Sequence, residues 1–476
     1  MNKKFTFLKV VGVFLMGMFL SFSGFAQVTT SAITGFVVDE AKESMPGAVI
    51  TATHLPSGTV YRTASRTDGS FTLPGLRTGG PYELKVEFVG SKPTTLNDIY
   101  LELGTPFSVN VVLREDNTLL DEVVVTAASR TATDKNGVST VFNNRVLTSM
   151  PTISRSISDF TRLTPQANGN SFGGRDGRLN NLTVDGANLN NNFGLSSDPM
   201  PGGGNTPVSL DAFEEVSVNI SPYDVKQGNF TGGNIAAITK SGTNEYKGTV
   251  YTYFRDNLKH IGYKALGEDI NKPGGAEKTT IYGGSIGGPI IKNKLFFFVN
   301  AEFENKPPAG GITWVPTGGS GGGNVSSVTV GDLQRVSDYV KGLGYDPGVF
   351  DNFPAFKNEA RKFLGKLDWN VSTKHKLTLK YSDFLGTQDN LPSQSANIGG
   401  TLSTSPTGSI SYGPKFSQTA MAFSGTMYSM REIVKSGALE LNSIFNSRLS
   451  NQFLATLTKI TSDKPVRVAC SLLWIS

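Results

Sequence analysis

Between Tyr246 and Ile460, apolar and polar residues exchange places with a period of two in run after run. Phe297, Val299, Ala301 and Phe303 alternate with Phe298, Asn300, Glu302 and Glu304. Phe363, Leu367, Trp369 and Val371 alternate with Lys366, Asp368 and Asn370, and beyond Ser372-Thr373-Lys374 the same pattern resumes, with Leu377, Leu379 and Tyr381 set against Lys376, Thr378, Lys380 and Ser382. Leu449, Phe453, Ala455 and Leu457 make a further apolar face. Successive side chains of a strand point to opposite sides, so each run reads as a two-faced strand. The runs are about ten residues long with aromatics near their ends, the length a tilted transmembrane strand needs. Connections are unequal: 289–294 and 372–375 are tight, whereas 306–359 and 387–414 are long, glycine-rich and polar. Short turns on one side and long loops on the other belong to barrels that cross a membrane. A secreted soluble sandwich alternates as well, and the period alone leaves both open.

The first 26 residues carry an address. Lys3, Lys4 and Lys9 precede an apolar stretch from Val10 to Leu20, and Gly24 and Ala26 supply small residues for cleavage between Ala26 and Gln27. This is a secretory signal peptide, because the apolar core is well short of the about 20 residues that a spanning helix requires. Elsewhere the chain is rich in glycine (54) and proline (23) and poor in charge (17%), which suits many turns and long polar loops. The net charge of +5 is spread over the whole length and predicts no nucleic-acid partner.

Chemistry is sparse. One cysteine, Cys470, excludes an internal disulfide and a cysteine-based metal site, and three histidines leave little for metal or proton transfer. G-x-S-x-G is centred on Ser171, Ser285 and Ser320, but none joins a strand to a helix as a nucleophile elbow does. Asp185 to Asn190 fails as a calcium loop, since Ala187 and Leu189 occupy ligand positions. Glu214 and Glu215 are strand neighbours facing opposite ways and make no catalytic dyad. No enzyme, metal or cofactor is expected.

From Ser31 to Leu113 short alternating runs follow one another, with Tyr82, Leu84, Val86 and Phe88 on one face, and Pro46–Gly47, Asp68–Gly69 and Pro74–Gly75 as turns. The segment is long enough for a seven-strand sandwich. Thr34 to Asp39, Met45 to Ile50 and Thr67 to Leu76 resemble the carboxypeptidase regulatory-like domain, of prealbumin-type, carbohydrate-binding-like fold. That resemblance implies binding or docking, without peptidase activity: Ser57, Tyr263 and Thr378 stand three residues beyond the histidines, where a zinc carboxypeptidase has glutamate.

Leu119 to Thr126 favours the extended state and reads either as an eighth sandwich strand or as a strand held for a partner's sheet edge. Asp121, Glu122, Val123, Val124, Val125 and Thr126 resemble the TonB box of SusC/Oar-like TonB-dependent receptors, which tips the reading to the second. Beyond it, Ser154 to Leu163 is a capped helix candidate with Ile157, Phe160 and Leu163 on one face, Asn181 to Gly186 is a strand entering an Asp-Gly turn, and Phe213 to Ile220 and Ile235 to Thr239 are strands. Leu147 to Pro151, Arg155, Asp159–Phe160, Asp185–Gly186, Glu214 to Val216, and Gly232–Gly233 through Lys240, Ser241 and Gly242 are similar, in order, to the plug domain of those receptors.

The expected architecture is mainly β. It comprises a signal peptide (1–26), a prealbumin-like sandwich (27–114), a TonB box (119–127), an α+β plug (138–243), the first strands of an incomplete antiparallel transmembrane β-barrel (246–462) and an atypical tail (463–476). About seven or eight barrel strands are expected, with 416–430 strand or loop, whereas a plugged lumen uses about 22. The sequence therefore reads as the N-terminal third to half of a receptor. The resemblance implies an outer-membrane location, lipid around the barrel, TonB as energy-coupling partner, a surface lipoprotein beside it, and a large extracellular nutrient (glycan or peptide) as ligand. An adhesion or structural barrel, or an inert fragment, is the alternative.

Overall fold

The structure is a computed structural model. It describes residues 28–115, 123–126, 139–152, 155–190, 205–220, 227–228, 230–256, 264–265, 268–269, 278–306, 314–320, 324–351, 358–390, 403–404, 410–411 and 418–463. The cleavage site at Ala26–Gln27, Asp121 and Glu122, and the tail from 464 lie outside the described residues.

Seven strands form the N-terminal sandwich: β1 (Ser31–Val38), β2 (Val49–His54), β3 (Thr59–Ala64), β4 (Ser70–Leu76), β5 (Gly79–Glu87), β6 (Thr94–Leu101) and β7 (Phe107–Val112). One sheet runs β4-β1-β7 and the other begins β3-β2-β5-β6. Tyr82, Leu84 and Val86 are fully buried between them, as the alternation requires, together with Ile33, Ile50, Phe71 and Leu73. Gly47 and Gly69 take positive φ in the expected turns. Pro74–Gly75 is different: it lies inside β4, where Gly75 (φ 72°) is the extra residue of a bulge opposite Ser31–Ala32. Turn and bulge both need the left-handed conformation that glycine supplies, so the residue pair did not distinguish them. The second sheet ends on β8 (Val123–Thr126), which runs parallel to Thr94–Asn97 of β6. The strand is thus an eighth member of the sandwich, and its other edge carries no strand among the described residues.

A middle unit follows. Strands β9 (Ser139–Asn143), β10 (Asn181–Val184), β11 (Ala187–Asn188), β12 (Phe213–Asn219) and β13 (Asn234–Thr239) form a sheet in the order β11-β10-β13-β12-β9. Asp185 and Gly186, at φ 46° and 75°, make the two-residue turn between β10 and β11, as their sequence demands. Helix α1 (Asn144–Ser149) is capped by the Asn143 side chain on the Val146 N–H. The helix expected over 154–163 shrinks to α2 (Ser158–Thr161), without a side-chain cap. Ile157 and Phe160 are buried there, but Leu163 is exposed, because one short turn cannot carry a face as far as residue 163.

Seven long strands then make one sequential antiparallel sheet: β14 (Lys247–Asp256), β15 (Lys278–Ile291), β16 (Leu295–Asn305), β17 (Asn358–Asn370), β18 (His375–Asn390), β19 (Tyr428–Ile444) and β20 (Ser450–Asp463). Residues 418–427 belong to the loop before β19. The connections 292–294, 371–374 and 445–449 are short and share one end of the sheet, while 257–277, 306–357 and 391–427 share the other. Within the last-named end, α3 (Val330–Gly342) carries a full capping box between Thr329 and Asp332. Among the described residues the sheet does not close, since β14 and β20 each pair on one side.

Burial in this sheet is inverted. Asn300, Glu302, Glu304, Lys362, Lys366, Asp368 and Lys380 are buried, while Phe363, Leu379, Tyr381 and Leu457 face outward, the last 79% exposed. In a soluble sandwich the greasy face would be the covered one. Here the polar face wraps the middle unit, with Phe298, Leu364, Phe384 and Val434 packing on Leu182, Phe213 and Val218.

The middle unit is latched to the barrel wall

Asp185 stands at the centre of the contact. The positive φ of the Asp-Gly turn aims its carboxylate at β13, where Oδ1 accepts the Thr239 N–H at 2.9 Å and Oδ2 accepts the Thr239 hydroxyl at 2.6 Å. Two wall lysines meet it. Lys380 Nζ lies 3.1 Å from Oδ2 and donates to the Val184 carbonyl, while Lys366 Nζ lies 3.8 Å from Oδ1 and donates to the Thr239 carbonyl. Burial alone would raise the Asp185 carboxyl, but the two lysines and the Thr239 hydrogen bonds outweigh it and hold the group well below the usual range. The latch is therefore charged at neutral pH.

A second cluster sits nearer the long-loop end. Lys362 Nζ bridges Glu302 at 2.7 Å and Glu304 at 2.9 Å, and Glu302 also accepts the hydroxyls of Ser209 (2.7 Å) and Tyr251 (2.6 Å). Ser209 belongs to the middle unit, so this network too spans the boundary.

The glycine-rich motif that brackets β13 is a matter of close approach. A Cβ on Gly233 would meet the Phe172 ring at 2.9 Å, and the Gly233 N–H bonds Asn180 Oδ1. A Cβ on Gly232 would overlap Asn180, and one on Gly242 would strike the Phe297 and Gly288 carbonyls, where the chain leaves the middle unit along the wall. Lys240 pairs with Asp211 at 3.4 Å. Thus Asp185, Gly186, Lys240, Ser241 and Gly242 gather where the middle unit meets the wall, while Gly232 and Gly233 stand at the other end of β13, against Asn180 and Phe172. Strand β8 lies on the sandwich, apart from them.

Glu215 is buried and Glu214 half-buried. Glu215 Oε1 accepts the Leu103 N–H from the sandwich at 2.7 Å, and burial, with Glu102 and Glu214 nearby, pushes its carboxyl up to about 8. A carboxyl raised above its unfolded value stabilises the fold fully below that value, and the contribution is lost as pH climbs to about 8. Thermal unfolding is expected to occur at a temperature lower by on the order of a few degrees at pH 8.5 than at pH 5. Glu215→Gln, which keeps an acceptor but cannot ionise, should flatten part of that decline; a variant as pH-dependent as the parent would show that the group does not govern it. His54, in the sandwich, is lowered to about 3 by burial and the neighbouring Arg77, and its Nδ1 is 2.7 Å from Ser57 Oγ. It is a neutral structural residue, bonded to the very side chain that stands where a metallopeptidase glutamate would be.

Against known proteins, residues 32–114 match the carboxypeptidase regulatory-like domain and residues 238–352 match an outer membrane beta barrel domain. The TonB-dependent transporter Oar of Myxococcus xanthus is 28% identical over 300 residues, 59% of this chain and 27% of Oar. The TonB-dependent receptor SusC of Bacteroides thetaiotaomicron is 34% identical over 117 residues, 25% of this chain and 10% of SusC. The outer membrane transporter YddB from Escherichia coli superposes with a TM-score of 0.44 at 14% identity, over 70% of this chain and 40% of that one. The chain spans about a quarter of the length of Oar. It is an outer-membrane protein, homologous to the TonB-dependent transporters Oar and SusC, with a regulatory-like sandwich ahead of barrel strands.

Proposed function

We propose that this chain serves TonB-dependent import of a large nutrient, a glycan or a peptide, across the outer membrane, and carries out no enzymatic reaction. The observation that carries the reading is the inverted wall: a sheet greasy outside and charged inside, ion-paired through Asp185 to a separate folded unit in its lumen. A lumen filled by its own side chains would be a static barrel. One filled by a unit held through a few discrete latches can be opened. In this reading residues 138–243 are the plug, and the long-loop end faces outward, where a surface lipoprotein would help capture the ligand.

Asp121 to Thr126 would engage TonB by strand addition. Main-chain pairing asks little of side chains beyond an extended backbone, which three consecutive valines favour. A pull there acts on the plug through the chain that follows, and the buried ion pairs set the load at which it gives way.

Deleting Asp121–Thr126 is expected to abolish uptake while leaving the amount of protein in the outer membrane unchanged. Uptake is measured with fluorescently labelled oligosaccharides and peptides, and abundance by immunoblot of the membrane fraction. Undiminished uptake would refute energy coupling through this strand.

A further inference from the structure

The sandwich does not hang beside the barrel; it is fitted to the short-turn end. Arg77, from the connection between β4 and β5, reaches into the mouth. There its guanidinium lies 3.4 Å from Asp368 of the wall and donates to the Gly242 carbonyl at 3.3 Å. The Asn370 side chain donates to Thr59 Oγ1 at 2.9 Å, and the Asn244 N–H to the Pro56 carbonyl at 2.8 Å. Ile444, at the end of β19, packs against the sandwich core itself.

Backbone shape agrees with these contacts. Gly58, Gly75 and Gly79 all hold positive φ and all face the barrel or the middle unit. A Cβ on Gly58 would overlap the Asn293 side chain, and one on Gly79 would stand 3.2 Å from Glu214. Three glycines on one rim supply the positive φ their backbone needs, and they also let the two surfaces approach. A partly open cavity of about 480 Å³ lies between sandwich, middle unit and wall, lined by Arg77, Glu214, Lys366, Asp368 and Lys376.

We infer that the sandwich is a second closure of the barrel, seated in its periplasmic mouth by Arg77 and Asp368, so that the passage opens when it lifts away. The inference rests on the import reading for which side is periplasmic, but the seat itself does not. The strand proposed to meet TonB is the last strand of this same sandwich and precedes the plug in the chain. A single pull therefore loads both closures.

Disulfide trapping tests the seat in the full chain, in lipid, with Cys470→Ser as background. Thr59→Cys with Asn370→Cys is one pair. Gly75→Cys with Asn442→Cys is a second, since a Cβ on Gly75 lies 3.5 Å from the Asn442 Cβ, within bonding range. Val89→Cys with Asn370→Cys is the control: Val89 is 94% exposed and ten residues along from Gly79, roughly 30 Å at the rise of a strand. Mild oxidant should close both designed pairs at least about tenfold faster than the control. Arg77→Glu should slow them about fivefold or more, and Arg77→Glu with Asp368→Arg should restore the rate. A maleimide should reach Ser241→Cys, which lines the cavity, at least about tenfold faster once Arg77→Glu has loosened the sandwich. Designed pairs closing no faster than the control, or equal labelling of Ser241→Cys with and without Arg77→Glu, would overturn the closure. Neither measurement involves uptake, so the import reading can fail while the seat stands, and the reverse.

Discussion

Replacing Asp185 with alanine is expected to loosen the middle unit from the wall by about 3–5 kcal/mol, the usual cost of removing one partner from a buried ion pair. The magnitude follows from what is left behind. Lys380 and Lys366 are 6% and 8% exposed, and without the carboxylate their ammonium groups keep the Val184 and Thr239 carbonyls alone. Thr239 also loses the acceptor for its N–H and hydroxyl. Asp185→Asn should recover part of the loss, because an amide keeps an acceptor for Thr239 but offers no charge. Combining Asp185→Asn with Lys380→Met should recover more, since an apolar side chain of similar length needs no counter-ion. Hydrogen exchange is the measurement of choice, read at the amides of Asn181–Val184 and Asn234–Thr239. Protection there should drop by about two to four orders of magnitude in Asp185→Ala while the sandwich amides hold theirs. Equal loss in both units would mean general unfolding, and no loss would mean that the latch is not what holds the unit. The depressed carboxyl adds a sign: the Asp185 carboxylate stays ionised above the ordinary carboxylate value, and its contribution fades as acid drives the pH below that value.

Much of this could be read from residue order, for a physical reason. Wherever one face of a strand is buried, period two carries the burial pattern directly, which is why Tyr82, Leu84 and Val86, and the alternation of Phe297 to Phe303 with Asn300, Glu302 and Glu304, translate without change into the structure. What residue order could not supply is partnership across distance. Asp185 and Lys380 lie 195 positions apart, and Arg77 and Asp368 meet across two domains. One signal was available: Lys362, Lys366, Asp368 and Lys380 all fall on the polar side of strands whose other side is greasy. Charges on a covered face require counter-charges on whatever covers them, and the Asp-Gly turn was a candidate to supply one. The Thr329-to-Asp332 spacing likewise announced α3 inside a stretch read as plain loop. Pro74–Gly75 and the over-long 154–163 helix failed for the opposite reason: local signals there fit two outcomes equally, and the contacts that chose between them were remote.

The outward face decides whether the wall was built for lipid, and a single arginine tests it. Leu379 is 42% exposed on the greasy side of β18, the fifth of its 16 residues, between Leu377 and Tyr381. On a soluble protein, Leu379→Arg at such a site would change stability by a few tenths of a kcal/mol and improve solubility. Against acyl chains the same guanidinium costs about 2–4 kcal/mol at the membrane midplane. Partition of the purified chain into phosphatidylcholine vesicles is therefore expected to fall by roughly 30- to 1,000-fold, at about 1.4 kcal/mol per decade. Leu379→Arg differs from a polar-face change in size: Ser382→Ala, on the covered side of the same strand, removes a buried hydroxyl and should leave partition within about twofold. An arginine tolerated at residue 379 without loss of lipid binding would place that face in water, and the wall, the plug and the import they imply would all have to be read again as parts of a soluble β-protein.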